Sequence, residues 1–259
     1  FGAGWGLGEG WKRVQPPPPA GDDEDKGWIC WLGEPLDEPL DEWLDAYKPS
    51  KVDRGSTPWI SVGRKGADMY STHGKFLLEP YKPALNPLSE MKAKNKNISQ
   101  GQKSAAVRSI LDTAREQQYV SGKWLLFLGK SADKVWAAVA SAVANGRLGH
   151  AAKIGPTMGM GDKEVTVCCV YVRDFDNRKE VRDVLIELRK VLKTVAEEEK
   201  WERVPQVKGF KPDVFTMIES KTSEERGIPT NMAKDWRLNP TIYKVEDVLP
   251  ESWVSEGGL

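Results

Sequence analysis

Histidine and cysteine are scarce in these 259 residues: two of the first, His73 and His150, and three of the second, Cys30, Cys168 and Cys169. No His pair, CxxC or HExxH spacing occurs, which argues against a conventional zinc site, and neither a metal nor a cofactor is expected. Three cysteines cannot build a disulfide framework, and an adjacent pair suits a reducing compartment, the cytoplasm or the nucleus. Long apolar runs are missing as well. The longest, from Val165 to Val172, falls far short of the ~20 residues that cross a bilayer, and no basic-then-apolar leader opens the sequence, so no membrane partner is expected. There is no nucleophile-elbow motif and no isolated pair of acids beside an apolar stretch. An enzymatic reading has only Cys169, Asp174 and Asp176 near one strand end to use, and the sequence is read as a non-enzymatic protein.

The 38 basic and 38 acidic side chains cancel over the whole chain but not along it. Residues 1–50 hold 4 basic against 11 acidic groups, and residues 51–130 hold 14 against 6. Such a pattern lets an acidic leader fold back on a basic segment, or leaves the basic part for an anionic ligand; an uneven, solvated surface accounts for it equally well. Residues 1–27 combine alternating glycines, Pro16 to Pro19 and Asp22 to Asp25, and read as a flexible tail that buries too little surface to offset its ordering entropy. Residues 28–250 are read as one domain and 251–259 as a short C-terminal tail.

Within that domain, Leu40, Trp43 and Leu44 predict a short amphipathic helix in a stretch otherwise broken by prolines. Residues 82–101 read as a basic loop, because Lys92, Lys94 and Lys96 stand among Asn and Ser with little apolar content. Ala106, Ile110, Leu111 and Ala114 predict a helix before Tyr119, and Lys123 to Leu128 a strand. Ser131 is a good N-cap for a helix through Val135, Trp136, Val139 and Val143 that stops at Asn145-Gly146. Leu148 to Ile154 and Glu164 to Arg173 predict two more strands, the second central to a sheet. The steps of three and four from Val181 to Val195 mark a long helix, and Asp213 to Glu219 and Thr241 to Val245 read as further strands. Hairpin-length links between the middle strands argue for an α+β fold with an antiparallel sheet and helices on one face.

The loop Gly155 to Lys163 has the glycines and the lysine of a phosphate cradle, but Asp162 precedes Lys163, no Ser or Thr follows it, and a strand comes next where a helix is required. A hairpin connection is the plainer reading. The 11 tryptophans are unusual, since indoles serve either as large core pieces or as stacking surfaces. Trp124 and Trp136 belong to the core by pattern. Trp28, Trp43 and Trp59 lie in the Pro-broken region, where packing competes with a role in base stacking.

The segments Ser121-Gly-Lys-Trp-Leu-Leu-Phe127, Asn145-Gly-Arg-Leu-Gly149, Ala151-Ala-Lys153, Cys169-Val-Tyr-Val-Arg-Asp-Phe-Asp176, Glu180-Val-Arg-Asp-Val-Leu185 and Lys211-Pro-Asp-Val214, in that order, resemble the basophilic-leukaemia-expressed protein family. That eukaryotic family is uncharacterised, with a fold similar to the messenger-RNA cap-binding translation initiation factor. The resemblance covers roughly residues 120–245. It implies a curved antiparallel sheet backed by helices, with a ligand cleft on the concave side. It also implies phosphate contacts at Lys123, Lys153 and Lys163, which take the places of basic residues in the cap-binding factor. That factor carries a Trp and a Glu just before its corresponding strand, whereas Leu111 to Val120 here has no Trp, so a stacking face would have to come from Trp28, Trp43 or Trp59. Together these expectations describe a binding protein for RNA or a phosphorylated nucleotide, a cap-like one included, held in a basic, aromatic-lined cleft. The alternative is a protein-interaction module that keeps the fold without a nucleotide ligand.

Overall fold

The computed structural model describes residues 27–33, 38–64, 76–222 and 236–249; the two expected tails fall almost wholly outside these. Among the described residues the strands are β1 Ile29–Trp31, β2 Ile60–Gly63, β3 Gly122–Leu128, β4 Ala151–Ile154, β5 Thr166–Val172 and β6 Val207–Pro212. The helices are α1 Leu40–Ala46, α2 Lys82–Ala93, α3 Gln100–Glu116, α4 Ala132–Ala144, α5 Arg178–Glu198, α6 Asp213–Thr222 and a single turn, α7, Val245–Val248.

The strands form one sheet in the order β1-β2-β4-β5-β3-β6. β5, rich in Val, Cys and Tyr, is inside it as its composition predicts, paired antiparallel to β4 on one side and β3 on the other. The architecture is α+β, but the expectation of a curved, wholly antiparallel sheet of the cap-binding-factor type fails. The sheet is mixed, with β1 parallel to β2, and it is open, neither closed nor strongly curled. A parallel neighbour needs a crossover connection, and residues 32–59 supply it, with α1 and a short 3-10 turn at Pro49–Lys51. Three-residue β1 is too short to show alternation, so the sequence gives no sign of this pairing.

Nor do the helices all lie on one face. α4 and α5 cover one side, where Trp124, Leu126, Val170 and Ala152 meet Val135, Trp136, Val139, Leu185 and Leu188 in a single continuous core. The apolar stripe of α5 is buried along its whole length, from Val181 to Val195. α6 instead reaches the other side, where Thr216 meets Lys123.

Three local expectations are corrected. Residues 82–93 are helix rather than loop. Pro83 sits in the first turn, where its missing N–H costs nothing, and Pro87 forfeits one bond, but burial of Leu85 and Leu88 one turn apart outweighs that loss. Residues 213–222 are helix rather than strand, because Val214, Phe215 and Ile218 fall on one helical face and are all fully buried. Thr241 to Val245 contributes only an isolated bridge, Tyr243 to Phe210. The loop at 155–165 joins β4 to β5 as a hairpin. Ser131 precedes α4 as expected but makes no side-chain cap bond; the capping box is at α3, which the sequence reading did not mark, where Ser99 accepts from the Gln102 N–H while the Gln102 side chain accepts from that of Ser99.

Candidate functional site

The indole N–H of Trp124 donates to the Val181 carbonyl of α5 at 3.0 Å, which fixes that side chain on the helix-covered face of β3. Strand alternation then puts Lys123, Leu125 and Phe127 on the opposite face. The register carries that face across the sheet. Ser61, Lys153, Cys169, Leu125 and Gly209 form one row, and Lys123 stands opposite Tyr171 in the next.

Two buried lysines share this face in opposite electrostatic situations. Lys123 is ion-paired to Asp213, with its ammonium 3.1 Å from Thr216 Oγ1 and the second Asp213 oxygen accepting from the Ser121 hydroxyl at 2.8 Å. Burial pulls Lys123 down, but the Asp213 carboxylate more than reverses this and its pKa is raised overall. Its charge is already compensated within the fold.

Lys153 has no such partner. Its residue is 7% exposed, and no carboxylate of the described residues lies within ion-pair reach. The ammonium instead stands 4.0 Å from the centre of the Trp59 ring and 4.4 Å from that of Trp28, with Tyr171 further off at 5.9 Å. Burial lowers its pKa to about 8, and nearby Lys123 adds to the depression. Asp213 acts in the opposite direction from beyond ion-pair reach, and cation–π contacts with the indoles offset a further part of the burial cost.

The indoles are held in place by the β1–β2 pairing. Ile29 N–H donates to the Trp59 carbonyl at 3.1 Å, and the buried Thr57 hydroxyl donates to the Gly27 carbonyl at 2.7 Å, which lays Trp28 beside Trp59 with ring centres 6.1 Å apart. Trp28 is buried and Trp59 half-buried. Of the other expected site residues, Trp43 is a buried piece of α1 packed on Tyr47, away from the lysines. Lys163 is exposed on the β4–β5 hairpin, at the end of β5 remote from Tyr171. The structure therefore joins Lys123, Lys153, Trp28 and Trp59, and leaves Trp43 and Lys163 outside that cluster. Tyr171 and Asp213 were missed by sequence reasoning. Alternation from Cys169 along β5 could have placed Tyr171; Asp213 lies in the Lys211-Pro-Asp-Val214 segment that carries the family resemblance, but nothing local marks it as the partner of Lys123.

Chemically, the cluster offers a cation and aromatic faces. The thiol of Cys169, beside both lysines, is pushed up by burial against the pull of the two ammoniums, so it is a protonated core thiol at neutral pH. Among the described residues no group of three or more His, Cys, Asp and Glu could hold a metal ion, and no helix is long and apolar enough to cross a membrane. A separate cavity of about 270 Å³ lies between the start of α5 and α7, lined by Arg178, Arg182, Tyr243 and Asp247.

Fold and site together define an α+β protein with, among the described residues, a mixed six-stranded sheet and a lysine–tryptophan cluster on the side opposite α4 and α5. Residues 33–219 match the family described as basophilic leukemia-expressed protein Bles03, and the chain belongs to that family.

Proposed function

We propose that this chain is a non-enzymatic binding protein whose ligand is RNA or a phosphorylated nucleotide, received on the sheet face that carries Lys153, Trp28 and Trp59. One observation carries the reading: Lys153 is a buried cation, set against two indoles, with no carboxylate of the described residues within ion-pair reach. An uncompensated buried charge is costly, and a phosphate would supply the missing anion while a base took a ring face, the combination by which proteins hold single-stranded nucleic acid. Lys123 supports the site from within through Asp213 and does not contact the ligand. The proposed location, cytoplasm or nucleus, is supported by three buried thiols.

The test is a titration of the full chain, followed by tryptophan fluorescence, with a nucleoside triphosphate and a short single-stranded RNA at low and moderate salt. Binding that weakens with salt and is abolished by Lys153→Met is expected. Binding that survives that substitution unchanged, or no binding at low salt, would overturn the proposal. The alternative, a protein partner, is favoured by two exposed apolar side chains on or beside the same sheet, Phe127 at 49% and Val165 at 54%; partners captured after nuclease treatment and indifferent to Lys153→Met would select it.

A further inference from the structure

Strand register extends the aromatic surface well beyond Lys153. Ile60 faces Ile154 and Ile154 faces Cys168, so the next row outward runs Trp59, Gly155, Val167 and Phe127. Gly155 presents no side chain on it, Val167 is half-buried, and Phe127 stands exposed on an inner strand. Val165, two residues before Val167, continues the apolar surface, and Lys163 lies two residues further back. Three strand spacings separate Trp59 from Phe127, about 14 Å at 4.7–4.9 Å each, further than a single nucleotide reaches with its base on one ring.

The charges around this row are mixed, with Asp162 and Glu164 on either side of Lys163. The nearby acids are engaged, Asp162 with Lys130 and Glu164 with Arg54. Neither Lys153 nor Lys163 has a carboxylate of the described residues within ion-pair reach. The rows themselves contain no acid. A row with half-exposed and exposed rings at its two ends, and alongside it two lysines that no carboxylate of the described residues pairs, matches the requirements of a single-stranded nucleic acid, whose bases stack on any aromatic face and whose backbone seeks positive charge.

We infer that the ligand of this face is a single strand of RNA at least three nucleotides long, laid across β4, β5 and β3 with one base on Trp59, another on Phe127, and its phosphates toward Lys153 and Lys163. The inference rests on the proposed function and narrows it from any phosphorylated nucleotide to an oligonucleotide. Phe127 is then a base-stacking residue, and its exposure has a physical reason: an aromatic side chain left open on an inner strand is covered when the strand binds.

The experiment compares uridine monophosphate with oligouridylates of two to six nucleotides, titrated against the full chain and against Phe127→Ala, Phe127→Leu and Lys163→Glu. Affinity is expected to climb with length and level off after three or four nucleotides. Both Phe127 variants should weaken the hexamer about tenfold or more, the size of one lost stack, while leaving the monophosphate unaffected; Lys163→Glu should weaken the hexamer and flatten its salt dependence. Because Phe127 is exposed, its replacement leaves the core intact, and Leu keeps the apolar surface while removing the ring. Monophosphate and hexamer binding equally well, or a hexamer indifferent to both Phe127 variants, would overturn this inference and leave the nucleotide reading standing. Failure of both ligands to bind the unaltered chain would overturn the function itself, and full hexamer affinity in Phe127→Leu but not in Phe127→Ala would replace base stacking by simple apolar contact of the kind a protein partner makes.

Discussion

Replacing Lys153 by Met keeps most of the stem in place and removes a buried ammonium, so it asks directly whether the fold carries an uncompensated charge. The folded amine has its pKa lowered from 10.5 to about 8, which at ~1.4 kcal/mol per unit is roughly 3 kcal/mol against the charged form. Cation–π contacts with the two indoles act against that cost, so roughly 3 kcal/mol is its upper bound. Below pH 8 both folded and unfolded chains bind the proton, and the destabilisation is present in full. Between about pH 8 and 10.5 the folded chain releases its proton first while the unfolded chain keeps it, so the stability of the unaltered protein rises with pH relative to the variant. Urea unfolding of both proteins across pH 7 to 10.5 should show Lys153→Met more stable by at most about 3 kcal/mol at pH 7, with the gap closing through that window. A variant less stable by more than about 1 kcal/mol at pH 7, or a gap that does not move with pH, would mean that the ammonium is compensated within the fold. The site would then have no deficit for an anion to fill. A gain in stability together with a loss of ligand binding is the trade expected where a costly group is kept for function.

Other substitutions probe the frame around that site. Asp213→Ala strands the Lys123 ammonium and should cost about 3–5 kcal/mol in a denaturant titration, with most of the loss recovered when Lys123→Met is added. Gly122→Ala would place a methyl 2.5 Å from the Phe210 ring and 3.2 Å from the Pro212 backbone, an overpacking worth about 1–3 kcal/mol; a thermal melt unchanged from that of the parent would show that β3 and β6 are less tightly apposed than described. Ser99→Ala removes the α3 capping box and should lower stability by only about 1 kcal/mol, seen as a small drop in urea midpoint at constant slope.

Much of the architecture is local enough to be legible in the chain itself. The stripe from Val181 to Val195, the run from Lys123 to Leu128 and the β-rich stretch around Cys168 form the helix and the strands that their patterns predict, because a helix or a paired strand of that length presents a fixed face, although Phe127 in the second stands exposed. The stretches misread are those where neighbours far along the chain outweigh local preference. Leu85 and Leu88 hold a proline-containing segment in a helix. Val214 and Phe215 favour a strand by propensity and are helical because their face meets the core.

The candidate site shows the same division. Sequence pattern and family resemblance single out Lys123, Lys153, Lys163, Trp28, Trp43 and Trp59 as residues of suitable chemistry, and they do so without knowing which of them meet. Pairing of β1 with β2, and of β2 with β4, brings Trp28 and Trp59 onto the Lys153 ammonium, across more than 90 residues of chain. The same topology gives Lys123 a carboxylate at Asp213, packs Trp43 into the core, and sets Lys163 at the far end of a hairpin. Residue identity thus determined which charges and rings the protein has. Only the tertiary structure decided which lysine is ion-paired and which is set against indoles, because Coulomb and desolvation energies depend on distance and burial, and neither is a property of a residue in its sequence.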